Sequence, residues 1–309
     1  MKKQNIIDII IPSYNSKKTI IQCLESVFKQ SYKNTYKVIV VDSSNDGTDE
    51  IIRKFFPQVH LIYLDKQTYP GAARNIGVQE CFSKYIGFTD TDCIVDYYWI
   101  DRIIARMTEN QCDAVGGSVI NGTPYSIIGT LGYFNEFSAF MPGMKSGFVK
   151  ATATANVCYK KDIFKNQMFI ESSFAGEDTV FHWTILENGG SLFFDPSIKV
   201  THLNKTGMKN VLQHQLRIGQ GAGKARILLK KDLVLIHFPV LCILILPWIR
   251  FLRMQKRIFH YDKTIWKKVL FFSPLSFLIS YSWCIGFFRS VKTNQHRKNN
   301  GPSHPNTDI

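Results

Sequence analysis

The sequence predicts an α/β domain built on a doubly wound, mainly parallel sheet, and three observations predict it. Apolar, β-branched runs alternate with helical patterns from Ile6 to Ile120. Most of these runs stop at Pro, Asn, Asp or Gly, the residues that end strands and start turns. The unusual polar residues collect at those stops, where an open parallel sheet binds its ligands.

Taken in order, Ile6–Ile11 is a buried strand ended by Pro12. Ser16 opens a helical pattern (Ile20, Ile21, Leu24, Val27, Phe28) that runs to Gln30. Tyr36–Val41 is a second strand, closed by the turn cluster Asp42–Gly47; Thr48–Phe56 is helical and Val59–Leu64 is a third strand. A helix follows Pro70-Gly71 as far as Phe82, Tyr85–Thr89 is a fourth strand, Tyr97–Glu109 is helical and Asp113–Ile120 is a further strand. The stretch Thr123–Phe148, rich in Phe, Tyr, Gly and Met, reads as irregular structure, with an acceptor loop as its functional reading. Beyond it, Thr179–Glu187 is helical, ended by Gly189-Gly190, and Ile198–Thr201 is strand-like, closed by His202.

Four successive strand ends carry Pro12-Ser13-Tyr14-Asn15, Asp42, Gly71-Ala72-Ala73-Arg74-Asn75 and Asp90-Thr91-Asp92. Singly, each has a structural explanation, since Pro and Asn stop strands and Asp fits turns. Asp90 and Asp92, two residues apart at the end of an apolar strand, suit Mg²⁺ or Mn²⁺, which take oxygen ligands and keep positions open for phosphates. Such a metal neutralises charge on a diphosphate leaving group. Arg74, at a helix start, offers a second positive contact to phosphate. Glu177 and Asp178 cap a helix or supply a general base for an acceptor hydroxyl. His202 is a structural histidine or a metal ligand.

In this order the motifs resemble the family 2 glycosyltransferases of the GT-A fold, over residues 5–230. The resemblance is carried by Ile10–Asn15, Val40–Thr48, Gly71–Gly77, Thr89–Asp92, Ala155–Lys161 and Gly176-Glu177-Asp178. It implies that Asp42 contacts the base or ribose of a nucleoside-diphosphate sugar, a UDP-sugar being favoured, with Pro12 and Tyr14 in the loop beside it. It implies that Asp90 and Asp92 hold the ribose and a metal-bound diphosphate, the metal being Mn²⁺ or Mg²⁺, and that His202 joins as a metal ligand. Asp178 would be the base of an inverting single displacement, with Glu177 and Asn156 at the acceptor. Processive relatives carry Gln-x-x-Arg-Trp, whereas this chain has Gln213-His214-Gln215-Leu216-Arg217-Ile218, which points to addition of one sugar. A nucleotidyltransferase would want a glycine-rich loop after strand one, which Pro12–Ser16 lacks; a non-catalytic membrane scaffold would not need Asp90, Asp92 and Asp178 together.

Charge divides the chain. Residues 1–204 hold 20 Lys/Arg against 21 Asp/Glu, and residues 205–309 hold 18 against 3. The basic part is interleaved with apolar runs at Leu233–Ile249 and Val269–Phe288, which excludes a nucleic-acid arm and favours membrane lipid. A bilayer span needs about 20 apolar residues, so the second run is long enough and the first is marginal. Seven cations between them oppose a simple hairpin by the positive-inside rule, and interfacial or re-entrant attachment fits better. The expected layout is a catalytic domain over 1–230 (donor half 1–120, acceptor half 121–230), membrane-associating helices over 231–291 and a polar tail over 292–309. The expected location is the cytoplasmic face of the cell membrane, with a glycan or polyprenyl-linked acceptor. Seven scattered cysteines without a CxxC pair read as reduced core thiols.

Overall fold

Strand β1 (Ile7–Ser13) explains the layering by itself. Its side chains alternate, so Ile7, Ile9 and Ile11 enter one apolar core and Ile10 enters another on the opposite face of the sheet. Strand β2 (Lys37–Asp42) repeats the pattern, with Val38 and Val40 on the first side and Ile39 and Val41 on the second. Burial on both faces is what an uninterrupted β-branched run dictates. The single charge inside β1 is no exception, because Asp8 Oδ2 accepts the backbone N–H groups of Phe82 and Ser83 at 2.9 and 3.0 Å.

The molecule is described here from a computed structural model, covering the backbone of residues 5–299 apart from 110–111, 172–174, 233, 235–236 and 239. By internal contacts it divides into two units, one of residues 1–126, 137–173 and 177–204, the other of residues 127–136, 174–176 and 205 onward. In the first, the remaining strands are β3 (His60–Tyr63), β4 (Tyr85–Thr89), β5 (Cys93–Val95), β6 (Ala114–Asn121), β7 (Gly147–Val149), β8 (Asn156–Lys160) and β9 (Leu192–His202). The sheet order is β3-β2-β1-β4-β8-β6-β9-β5, with β7 also on β9. The first four strands are parallel, and β8 enters antiparallel between β4 and β6. Helices α1 (Ile20–Phe28), α2 (Thr48–Phe55) and α4 (Trp99–Glu109) cover the first core; α3 (Pro70–Gln79) and α6 (Glu177–Glu187) cover the second.

Helix α5 (Ile127–Phe137) corrects the expectation of an irregular Thr123–Phe148. Most of α5 belongs to the second unit, with α7 (Met208–Leu228), α8 (Leu241–Leu244), α9 (Leu246–Tyr261), α10 (Lys263–Phe271) and α11 (Ser273–Asn299). By internal contacts residues 205–230 group with the later helices, because α7 is the packing partner of α11. Their seam is made of small residues. A Cβ on Gly219 would stand 1.9 Å from the Trp283 carbonyl oxygen, and one on Gly286 2.1 Å from that of Leu216. Ser282 and Ser290 donate across the same seam to the carbonyls of Leu212 and Gln220, both at 2.8 Å. Gly219→Ala gains about 1 kcal/mol of helix propensity but forces the backbones apart, at an overpacking cost of up to about 3 kcal/mol. Net destabilisation of about 2 kcal/mol is expected, and a melt by circular dichroism matching wild type would refute the seam.

Among the described residues, no single helix is long and apolar enough to cross a membrane. The pair α10 and α11 has the length and composition together, with an 81° bend between them. All seven cysteines are buried and none is in a disulfide among the described residues, as their sequence surroundings imply.

Candidate active site

The sheet changes direction of growth at β1, with β2 on one side and β4 on the other, and the carboxyl ends of strands at such a point are where open α/β sheets take their ligands. The loop after β1 is latched to the loop after β2. Ser43 N donates to Ser13 O at 3.0 Å, Asn15 N to Ser44 Oγ at 2.7 Å, and Asn45 N to Asn15 Oδ1 at 3.0 Å. Asn15 has φ of 51°, a left-handed conformation that Asn tolerates better than most residues. A second latch joins this loop to the end of β4, where the Ser16 and Thr91 hydroxyls lie 2.7 Å apart. Tyr14 is exposed beside it and Pro12 is half-buried.

Asp42 departs from expectation. It is fully buried, and its Oδ1 accepts the Ser44 hydroxyl at 2.6 Å. As it stands, it shapes the loop that Ser44 shares with Asn15, instead of facing a base or ribose.

Arg74 departs further. Instead of facing phosphate, it is 3% exposed on the buried side of α3. One amino group donates to Glu177 Oε1 at 2.6 Å and the other to Asp90 Oδ1 at 3.1 Å. Against the cost of burial, the charges of Asp90, Glu177 and Asp178 and the hydrogen bond to Glu177 hold its own charge more firmly than usual. The guanidinium also lies over the Phe169 ring, 5.7 Å from its centre. Asn75, the next residue, fixes the segment behind it, since its amide exchanges hydrogen bonds with the Phe169 backbone at 2.9 and 3.0 Å. Gly71 is required because a Cβ there would sit 2.3 Å from the Ile170 carbonyl oxygen.

Asp90 is therefore one end of the fork, with its Oδ1 taken by Arg74 and about a third of its side chain in solvent. Asp92 pairs elsewhere. Strand β5 runs antiparallel to the end of β9, with Cys93 opposite His202 and Leu203 N donating to Asp92 O at 2.8 Å. This register brings His202 Nε2 to 3.5 Å from Asp92 Oδ1. Donor atoms of Asp92, Cys93 and His202 all lie within 4.8 Å of one another. Burial and the two neighbouring aspartates push the Cys93 thiol well up, and Mn²⁺ or Mg²⁺ prefers oxygen and imidazole donors to a soft sulfur, which favours Asp92 and His202 as the ligand pair.

The histidine is oriented for that role. Asn204 donates through Nδ2 to Asn121 Oδ1, Thr123 Oγ1 and its own strand's His202 O, so its Oδ1 is the acceptor that faces His202 Nδ1 at 2.9 Å. Nδ1 then carries the hydrogen and the Nε2 lone pair points toward Asp92. Two acceptors facing each other at 3.5 Å fit a divalent cation between them.

Asp178 stands in the first turn of α6, half-buried, its Oδ1 accepting Thr179 N at 2.6 Å. Burial and then the Glu177 charge, opposed by Arg74, raise its carboxyl to about 6. It is a carboxylate at neutral pH and basic enough to take a proton. Glu177 itself is nearly buried and bound to Arg74, which makes it a positioning residue and not an acceptor contact. Asn156 corrects the remaining expectation. It is fully buried, its Oδ1 accepts Trp99 Nε1 at 2.8 Å, and its Nδ2 donates to Ser118 O and Ile198 O at 2.9 and 3.0 Å. It ties the sheet together and cannot reach an acceptor.

Sequence reasoning missed Asn204 and the pair Tyr159–His182. The Tyr159 hydroxyl and His182 Nε2 are hydrogen-bonded at 2.6 Å, and burial holds His182 down at about 3, neutral. His182 lies four residues after Asp178, one helical turn on, and that spacing was the available signal.

The family model for glycosyl transferase family 2 matches residues 8–157, which include β1, the Asp90-x-Asp92 turn and the start of β8. The glycosyltransferase AglE of Haloferax volcanii is 30% identical over 226 residues, covering 70% of this chain and 72% of that protein. The chain belongs to the family 2 glycosyltransferases. The mannosyltransferase PcManGT of Pyrobaculum calidifontis, solved with GDP-Man and Mn²⁺, superposes on this transferase with a TM-score of 0.62 at 14% identity, over 96% of this chain and 88% of that one. Residues 1–349 of S. aureus TarS, solved with UDP-GlcNAc, give 0.51 at 16% identity, over 92% and 91%. At those identities the likeness establishes the GT-A fold of the transferase, and membership in the family sets aside the nucleotidyltransferase alternative.

Proposed function

We propose that this transferase moves one sugar from a nucleoside-diphosphate sugar to a hydroxyl of a glycan or polyprenyl-linked acceptor, with inversion. The observation that carries the reading is the Asp90–Arg74–Glu177 fork, which ties the Asp90-x-Asp92 turn to the helix that presents Asp178. Asp178 takes the acceptor proton as the new oxygen–carbon bond forms at the anomeric carbon. The bond from that carbon to the diphosphate oxygen breaks with its electron pair on the leaving group. Asp92 and His202 would hold Mn²⁺ or Mg²⁺, which when bound stabilises charge on that diphosphate. Tyr14, exposed beside the latched loops, supplies a face for the donor. Nucleotide sugars in both solved neighbours support this donor class, the base being open between uridine and guanosine.

Calorimetric titration with UDP and GDP, with and without Mn²⁺, tests the assignment. One nucleotide is expected to bind with metal, and Asp92→Ala or His202→Ala to weaken that binding by 10-fold or more, about the range seen when a metal shell is disturbed. Metal-independent binding unchanged in both variants would remove the metal from the reading. No binding of either nucleotide would remove the donor class.

A further inference from the structure

The first apolar run of the helical unit is not folded away. Leu244, Trp248 and Leu252 are 62, 56 and 61% exposed, and Phe238 and Ile245 are exposed near them. The second run is exposed mainly towards its start, at Leu270, Phe271 and Leu278, while Ile279, Cys284 and Phe287 further along α11 are fully buried. A run of large exposed apolar side chains on one segment is rare in soluble monomers and marks an interaction surface.

The character of α9 changes along its length. Pro247, Met254 and Ile258 make its buried side. On the opposite side Trp248 and Leu252 lead into Lys256 in four-residue steps of one stripe, with Arg253 exposed next to Leu252. From Trp248 to Lys256 the stripe runs about 12 Å along the helix axis. Residues 246–272 contain seven Lys/Arg and a single acid, Asp262, whose carboxylate caps α10 by accepting Thr264 N and Ile265 N at 2.7 and 3.0 Å. Arg257 is held below its usual value by burial and by the neighbouring Arg253. The segment crowds cations with almost no counter-charge of its own, and Trp248 stands where such helices place interfacial aromatics.

We infer that this stripe docks on an anionic phospholipid surface. Leu244, Trp248 and Leu252 enter one leaflet and Arg253, Lys256, Lys267 and Lys268 meet lipid phosphates, with α11 remaining part of the protein core. The inference assigns attachment to the first run, although the second has the composition of a span. It stands independently of the donor assignment.

The test is sedimentation of the full chain with phosphatidylcholine vesicles, with and without phosphatidylglycerol. Binding is expected to require phosphatidylglycerol and to be reversed by alkaline carbonate. Leu244→Glu/Leu252→Glu should weaken it at least roughly tenfold, and Arg253→Glu/Lys256→Glu by a similar factor, roughly tenfold. Both pairs are exposed, so unchanged circular dichroism melts should show the fold intact. A chain that stays in the supernatant with both vesicles would overturn the inference, as would binding unaffected by either pair of changes. Resistance to carbonate would replace docking with a span. A vesicle-free dimer by light scattering, dissolved by Leu244→Glu/Leu252→Glu, would show instead that a second copy covers the face.

Discussion

Replacing Asp178 by Asn is expected to cut sugar transfer by about 10²–10⁴-fold, the usual contribution of a positioned general base, while donor binding survives. The change preserves shape and removes only the ability to take a proton. In the wild type the carboxyl sits at about 6, so transfer should rise with pH through that value and level off above it. The same shift carries a stability consequence whose sign can be worked out. The folded carboxyl lies above the ordinary 3.8, so between about 4 and 6 the folded chain binds more protons than the unfolded one. Stability from this group is therefore lost as pH rises through the window, and Asp178→Asn, which does not titrate, should melt higher than wild type at pH 8 and close to it at pH 4. Transfer that persists in the variant would remove the base assignment. Absence of transfer in wild type with every donor would favour a scaffold.

Arg74→Met is expected to destabilise the first unit most among the site substitutions. It leaves Glu177 and Asp90 facing each other without the cation between them, and breaking such a buried pair from one side costs about 3–5 kcal/mol. Asp90 keeps about a third of its side chain in solvent, so the lower end applies, a loss of about 10 °C in melting temperature for a domain of this size. Arg74→Lys should not rescue it, because an ammonium group cannot place two donors in a planar fork. Arg74→Met with Glu177→Leu should recover part of the loss by removing the stranded charge. A single Arg74→Met melt within a degree or two of wild type would show that the fork is not structural.

The sheet was readable because its strands are buried on both faces, and apolar β-branched runs such as Ile9–Ile11 and Val38–Val41 have no competing reading. The Asp90-x-Asp92 turn was readable for a similar reason, standing where an apolar run meets a parallel edge. What failed was nonlocal. Asn156 begins a strand that enters antiparallel between β4 and β6, and nothing in its neighbours announces that its amide will meet Trp99, Ser118 and Ile198. Arg74 looked like a phosphate contact because Glu177, its partner, lies 103 residues further on. Helix α5 was missed because its apolar residues are not confined to one stripe; most of it packs within the helical unit, where period alone gives no signal.

That separation of Arg74 from Glu177 also dictates an order of assembly. A growing chain that has emerged only as far as β8 already contains both partners of every latch between the loops after β1, β2 and β4, which span no more than 75 residues. At that point the guanidinium has Asp90 alone for company. It gains its second carboxylate only when α6 arrives. The second carboxylate of the fork and the proposed base therefore enter together, on the one helix α6.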